Sequence, residues 1–273
     1  MEYYKEDIEK VKRIVNGQNS YVDDLAALYK NTNEDLTKIL KDIDFKNKKV
    51  LTVQASSDQL FSSLILGAEE VDTFDANRLT EYYYYLRKWC LEETKKYYLP
   101  AKTSLLTKIV EKHYDENEYA AKLWLEIIKE AKPNLYYSKL FFRQPMYWSV
   151  PYKDREEELI EILQEKDHDF KCLDIYKKTN INKKYDIIII SNIIEYLLSG
   201  YYKESELQFT ENMKELLKDD GVIISSKTLN THFQKTELDK YFDVKAGEKG
   251  MILYGGETAP LSYQYTKKKI DYK

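Results

Sequence analysis

Lys49-Val50-Leu51-Thr52-Val53-Gln54-Ala55-Ser56-Ser57-Asp58, continuing to Val71-Asp72-Thr73-Phe74-Asp75-Ala76-Asn77, is the stretch on which the fold turns. Val50, Leu51 and Val53 form a β-prone apolar run. Ala55-Ser56-Ser57-Asp58 follows with small side chains and oxygens suited to capping a helix. Leu60, Phe61, Leu64 and Ile65 then recur at helical spacing, and Gly67 is placed to stop that helix. Val71 to Phe74 is a second strand with Asp75 at its end. The pattern is strand, tight turn, helix, strand and acid, the opening βαβ unit of a Rossmann-like parallel sheet.

The physics of that unit points to a nucleoside ligand. A helix N-terminus offers unpaired backbone N–H groups. A carboxylate at the end of the second strand can accept both hydroxyl protons of a ribose. Gln54 to Asp58 contains no glycine, which disfavours the close backbone approach that a pyrophosphate needs. S-adenosylmethionine carries no phosphate and tolerates a looser turn, so it is the expected ligand. A βαβ unit that binds nothing is the competing reading.

Outward from this unit, residues 5–16 and 20–41 read as N-terminal helices, with Asn31-Thr32-Asn33 interrupting the second apolar stripe. After Asn77 the α/β rhythm breaks. Residues 78–165 carry helical patterns, over Leu79 to Leu99, 102–113, 116–131 and Lys153 to Lys166, around an aromatic loop from Phe141 to Pro151. A crossover needs far fewer residues, so this is a helical insertion between the second and third strands and a candidate substrate cap. The rhythm returns at Phe170 to Asp174. The four consecutive isoleucines of Tyr185 to Asn192 imply a central strand buried on both faces. Helix 204–218, a turn at Asp219-Asp220-Gly221, strand Val222 to Ser226, helix 231–240, strand Phe242 to Val244 and a return strand Met251 to Tyr254 complete the chain. The expected fold is α/β, a Rossmann-like class I methyltransferase doubly wound sheet with a terminal β-hairpin. Residues 1–44 form a helical lead-in, 45–77 with 166–273 the core, and 78–165 the insertion.

At 273 residues the chain can bury a sizeable core, and with 33% charged and 43% hydrophobic residues it reads as soluble and globular. No apolar run reaches membrane-span length, and Met1 to Lys5 has no signal-like apolar core, so a cytoplasmic location is expected. A net charge of −4 lacks the footprint of a nucleic-acid binder. Cys90 and Cys172 read as reduced core thiols. His113, His168 and His232 share no metal-ligand spacing, so no metal is expected. The 26 tyrosines suit core and boundary positions, with some suited to a pocket for an amphipathic substrate. Lys267-Lys268-Lys269 reads either as a solvated basic tail or as a weak attraction to the inner face of an anionic membrane.

Three motifs carry a family resemblance: Val50 to Asp58, Val71 to Asn77, and Tyr185 to Tyr196 with its Ser191-Asn192-Ile193 ending. Together with the long helical insertion and Leu253-Tyr254-Gly255-Gly256, they make the chain resemble the betaine-lipid synthases over roughly residues 45–260. These are S-adenosylmethionine:diacylglycerol 3-amino-3-carboxypropyltransferases of the methyltransferase superfamily. Ser57 stands where the family has a turn glycine, and the chain is shorter than typical members. The resemblance implies transfer of an aminocarboxypropyl group to a lipid or small-molecule hydroxyl. A small-molecule methyltransferase and a non-catalytic protein of the same fold are the alternatives.

The expected donor site comprises Gln54, Ala55, Ser56, Ser57 and Asp58 under the methionine arm, and Asp75, Ala76 and Asn77 at the ribose. Asp174 and Ile175 are expected at the adenine, with Ser191 at the end of the central strand. Ser191, Asn192 and Glu195 are the candidate catalytic residues. Glu195 could take a proton from an acceptor hydroxyl, or serve only as a helix-start acid facing the macrodipole. Tyr82, Arg143, Tyr147 and Trp148 are candidate substrate contacts, though Tyr82 also fits a core stripe.

Overall fold

A computed structural model describes residues 2–19, 21–22, 24–131, 139–141, 149–166, 168–198, 205–226, 236–251 and 258–268. The opening unit forms as its sequence dictates: β3 (Lys49–Val53), α3 (Asp58–Ile65) and β4 (Glu70–Asp75). Three further parallel strands extend it, namely β5 (Phe170–Cys172), β6 (Tyr185–Ser191) and β7 (Leu217–Ser226). Two more close the far edge, β8 (Phe242–Ala246) and β11 (Ser262–Lys267). The seven strands run β5-β4-β3-β6-β7-β11-β8, and β11 lies antiparallel between β7 and β8. One reversed strand inserted near the edge of a parallel doubly wound sheet is the class I methyltransferase arrangement.

The isoleucine run of β6 occupies the centre of the sheet. Ile187 and Ile189 face one core, while Ile188 and Ile190 face the other. That division explains a continuous apolar strand, because both faces are covered. Helices α8 (Ile193–Leu198) and α9 (Glu206–Leu216) follow β6, and α9 packs Phe209, Met213 and Leu216 onto the second face.

The insertion lies between β4 and β5 and consists of α4 (Leu79–Thr94), α5 (Thr103–Lys112), α6 (Glu118–Glu130) and α7 (Glu156–Glu165). Its helices divide in role. With α1 (Glu2–Val15), the first three build a separate core around Tyr83, Trp89 and Trp124. Helix α7 instead covers the sheet through Leu159, Ile160 and Leu163, so it serves as the crossover helix. Tyr83, Tyr152, Tyr185 and Tyr265 are fully buried packing residues. No described helix is long and apolar enough to cross a membrane.

Several local expectations change. Residues 20–41 do not form one helix. They contain the short strands β1 (Tyr21–Val22) and β2 (Leu25–Ala26), paired antiparallel, and the single-turn helix α2 (Leu36–Ile39). The polar residues 31–34 break the helix because Thr32 and Glu34 are buried in contact with the sheet edge. Helix α4 ends at Thr94, with Lys95 in the left-handed region, rather than running to Leu99.

The return strand is also displaced. The antiparallel partner of β8 is β11, whereas β9 (Lys249–Met251) pairs with β10 (Thr258–Pro260) in a separate two-stranded ribbon. Residues 252–257, with Leu253 to Gly256, lie outside the described residues, as do 231–235 of the expected helix 231–240, whose described part leads into α10 (Leu238–Tyr241). Cys172 is exposed, so only Cys90 is a core thiol. Lys267 donates to the Leu217 carbonyl at 2.8 Å and Lys268 to that of Asp239 at 2.7 Å, so both lysines are tied to the fold.

Asp219-Asp220-Gly221 is not a turn but part of β7. A Cβ on Gly221 would lie 2.8 Å from the Asp186 carbonyl of β6 and 2.8 Å from a Leu217 methyl. Glycine is therefore required by the close approach of two strands. Gly221→Ala should lower the free energy of unfolding by about 1–3 kcal/mol, an overpacking effect measurable by urea denaturation.

Candidate functional site

The carboxyl ends of β5, β4, β3 and β6 border one cavity of about 310 Å³, within the range of small-molecule sites. It lies where ligands bind in open α/β sheets. The β3–α3 turn takes a glycine-like path without glycine. Ala55 has φ +38° and Ser57 φ +67°, and Ser191, at the end of β6, has φ +50°. Left-handed backbone in such residues costs on the order of 1 kcal/mol each, and strain of this kind gathers at functional sites. Ser57 takes the left-handed conformation that favours glycine.

Asp75 stands half-buried at the cavity wall. Its Oδ2 accepts from the Ala55 N–H and its Oδ1 from the Asn77 N–H, both at 2.9 Å. Burial pushes its carboxyl up to about 6, against the lowering effect of these donors and Thr80. Ala76 and Asn77 line the cavity beside it. The Asn77 amide is committed to β2: its Oδ1 accepts from the Ala26 N–H at 2.9 Å and its Nδ2 donates to the Ala26 carbonyl at 3.1 Å. Asn77 thus holds the N-terminal segment over the pocket. Asp174 and Ile175 line the β5 end. The Asp174 carboxylate accepts from the Tyr176 N–H at 3.1 Å and lies 3.5 Å from Lys177 Nζ. Ala55, Ser56, Ser191 and Asn192 complete the expected lining.

Several expected residues stand elsewhere. Gln54 and Ser57 are buried behind the turn, where Gln54 Nε2 donates to Ser57 Oγ at 2.8 Å. Asp58 is fully buried and is not part of the pocket floor. It accepts from the Thr32 N–H at 2.5 Å, Ser56 Oγ at 2.6 Å, Arg87 at 2.9 Å and the Tyr152 hydroxyl. Arg87 of α4 is equally buried and also donates to the Ser56 and Tyr97 carbonyls. Burial works against its charge, and the Asp58 carboxylate more than restores it.

Glu195 is buried and does not line the cavity, so the proposed base has no contact with it; helix-start packing drew it inward. Tyr82 belongs to the helical core. It packs on Tyr119 with ring centroids 5.1 Å apart, and its carbonyl accepts from Trp124 Nε1 at 2.7 Å. Arg143, Tyr147 and Trp148 lie outside the described residues.

Sequence reasoning left open whether the N-terminal lead-in covers the pocket or packs on the sheet, and named none of its residues as a wall. Ala26 to Tyr29, Thr32 and Asn33 line the cavity, as does Gln59 from the first turn of α3. The only local signal was the polar interruption at Asn31-Thr32-Asn33. It missed Glu34 as well. This buried carboxylate accepts from Gln59 Nε2 at 2.9 Å and from the hydroxyls of Ser191 and Ser226. Burial pushes the Glu34 carboxyl up, opposed by those three donors and reinforced by Glu195.

A second polar cluster, Glu92, His113 and Glu116, gathers in the helical bundle. Lys88, Lys112, Glu93 and the Trp89 indole already bond within it, making it an ion-pair network between α4 and α5.

Replacing Arg87 by Met leaves Asp58 buried without its cation. Urea denaturation should show a loss of about 3–5 kcal/mol, the usual penalty for halving a buried pair.

No protein-family profile matches the chain, and no curated protein matches it significantly. Solved structures resemble it in outline. A TehB-like SAM-dependent methyltransferase from Corynebacterium glutamicum is 8% identical, with 97% of this chain and 98% of that one covered, at a TM-score of 0.41. The rRNA methyltransferase aviRa from Streptomyces viridochromogenes is 9% identical over 84% of this chain and 80% of its own, at 0.43. The N-methyltransferase NodS from Bradyrhizobium japonicum, in complex with S-adenosyl-L-homocysteine, is 9% identical over 97% and 87%, at 0.39. Likenesses of this degree carry nothing about activity, which is read below from the site itself.

Proposed function

We propose that the chain is an S-adenosylmethionine-dependent transferase with its donor laid across the carboxyl edge of the sheet. One observation carries the reading: Asp75 and Asp174 are the charged residues of the described lining and no basic side chain is part of it, the exposed Lys177 beside Asp174 standing outside the lining. A pocket of that character repels the phosphates of a dinucleotide and favours a ligand without phosphate and with positive charge. S-adenosylmethionine is a sulfonium nucleoside and meets both demands. The wall is otherwise apolar, with Val53, Phe74, Leu173, Ile175 and Ile193 among its members. This suits an adenine ring.

The edge from β5 to β6 spans three strand spacings, about 14 Å in all. Asp174 and Ile175 would take the adenine, Asp75 the ribose, and the turn of β3 with Ser191 of β6 the amino-acid arm. When bound, the sulfonium supplies a carbon–sulfur bond already activated for displacement. The protein's part is then to orient the donor and exclude water. The group moved is, on this reading, 3-amino-3-carboxypropyl, and the acceptor a lipid or small-molecule hydroxyl; the three motifs shared with betaine-lipid synthases support it. The acceptor oxygen forms a bond to the carbon next to sulfur, the carbon–sulfur pair returns to sulfur to release methylthioadenosine, and the hydroxyl proton passes to solvent water.

Calorimetric titration with S-adenosylmethionine tests the donor. Asp75→Ala should weaken binding about tenfold or more, since a charged hydrogen bond is worth roughly 1.5–3 kcal/mol. No binding by the folded wild-type chain would overturn the reading in favour of a non-catalytic protein. Incubation with diacylglycerol tests the group: methylthioadenosine marks aminocarboxypropyl transfer, and S-adenosylhomocysteine marks methyl transfer.

The acidity of Asp75 sets a pH dependence. Its carboxyl titrates at about 6. Above that pH it is ionised and accepts both ribose hydroxyls. Below it the added proton removes acceptor capacity. Affinity should therefore hold from pH 7 upward and fall below pH 6, approaching about tenfold per unit. Asp75→Asn should flatten the profile, and a wild-type profile that is already flat would remove Asp75 from the ribose.

A further inference from the structure

We infer that Glu34 is a positioning residue that makes Ser191 an obligate hydrogen-bond acceptor, and that Ser191 thereby receives the α-ammonium group of the donor's amino-acid arm. The inference rests on the donor reading above and extends it to the arm.

A serine hydroxyl has one proton and two lone pairs, and ordinarily turns its proton to suit the ligand. Ser191 cannot. Its Oγ donates to Glu34 Oε1 at the carboxyl end of β6. The alternative acceptor, Asn192 Oδ1, lies at 3.4 Å and competes poorly with a carboxylate. Glu34 is only 3% exposed, and its other oxygen is taken by Gln59 Nε2 at 2.9 Å. Ser226 at the end of β7 donates to the same Oε1. The carboxylate is thus held from three elements, α3, β6 and β7, and cannot swing away from Ser191.

Ser191 nevertheless lines the cavity. Its proton faces Glu34, so lone pairs are what it can present to a ligand. Its left-handed backbone, φ +50°, places the residue where the strand leaves the sheet, and the Ser225 hydroxyl braces its carbonyl at 3.1 Å. A wall of acceptors beside a buried carboxylate suits a group that carries several N–H donors and positive charge. The amino-acid arm has one such group, its ammonium. The adenosine part has no counterpart to it at this end of the site.

Two nucleosides separate the arm from the rest. S-adenosylhomocysteine carries the arm and methylthioadenosine lacks it. Titration of each into the wild-type chain, Glu34→Gln, Ser191→Ala and the double variant tests the inference, with thermal melting to confirm folding. Each single substitution should weaken S-adenosylhomocysteine about tenfold, the double no more than either single, and methylthioadenosine should change by less than about twofold. Ser191→Ala removes one oxygen at an otherwise unchanged site, so it decides the acceptor role even where Glu34→Gln fails to fold. Losses that multiply in the double variant overturn the inference. So do an unchanged S-adenosylhomocysteine affinity in Ser191→Ala and a methylthioadenosine affinity that falls in step. If the wild-type chain binds neither nucleoside, the donor reading fails and takes the inference with it. If it binds both and the variants match it, the inference alone fails.

Discussion

The buried pair of Asp58 and Arg87 joins four segments of the molecule that also meet in one hydrophobic core. Asp58 opens the helix of the first βαβ unit, Arg87 comes from the first inserted helix, and the Asp58 carboxylate also holds the Thr32 amide of the N-terminal segment and the Tyr152 hydroxyl ahead of the crossover helix. A charge removed from water at such a place is tolerable only when fully partnered. Every one of these contacts is therefore needed by the others. Asp58 and Arg87 stand outside the lining, and the pair shapes the pocket through Thr32 and Ser56, which Asp58 holds and which line it.

That support bears on the turn. A glycine would pass through the left-handed region without strain, whereas Ala55 and Ser57 do so against their side chains. What keeps them there is local bonding: Ser57 N–H to the Gln54 carbonyl, Ala55 N–H to Asp75, and Arg87 to the Ser56 carbonyl. A serine can replace the glycine of related turns because surrounding bonds over-determine the backbone. Ala55 lines the site, whereas Ser57 stays buried behind the turn.

Electrostatics then gives the pocket its character. Asp75 and Asp174 sit along the lining, with Glu34 and Glu195 buried nearby. Arg78, next to the lining residue Asn77, is committed to Asp7 and Asp24, and the Glu93–His113–Glu116 group lies within the helical bundle. A phosphate would enter against carboxylates, and a sulfonium with its ammonium would enter towards them. At the sheet's ligand edge the charged residues of the described lining are carboxylates, with Lys177 paired to Asp174 beside it.

Local sequence alone determined the first βαβ unit, the central strand and the ends of the strands that face the pocket. Periodicity and β-branched runs act over a few residues, and strand ends are where such sheets bind ligands. Asp75, Asp174 and Ser191 were legible for that reason. The helices between the second and third strands of that unit's sheet were legible too, because they keep an apolar period. Only the tertiary structure decided that Asp58 faces inward, since its cation lies 29 residues away and looks in sequence like any helix arginine. Only the tertiary structure brought Glu34 to Ser191 and Ser226, across 157 and 192 residues. It also turned the expected helix 20–41 into a wall of the pocket, because buried polar partners outweighed helical propensity. A carboxylate in a sequence carries no mark of what will neutralise it. That depends on which distant segments pack around it, and packing is a property of the whole chain.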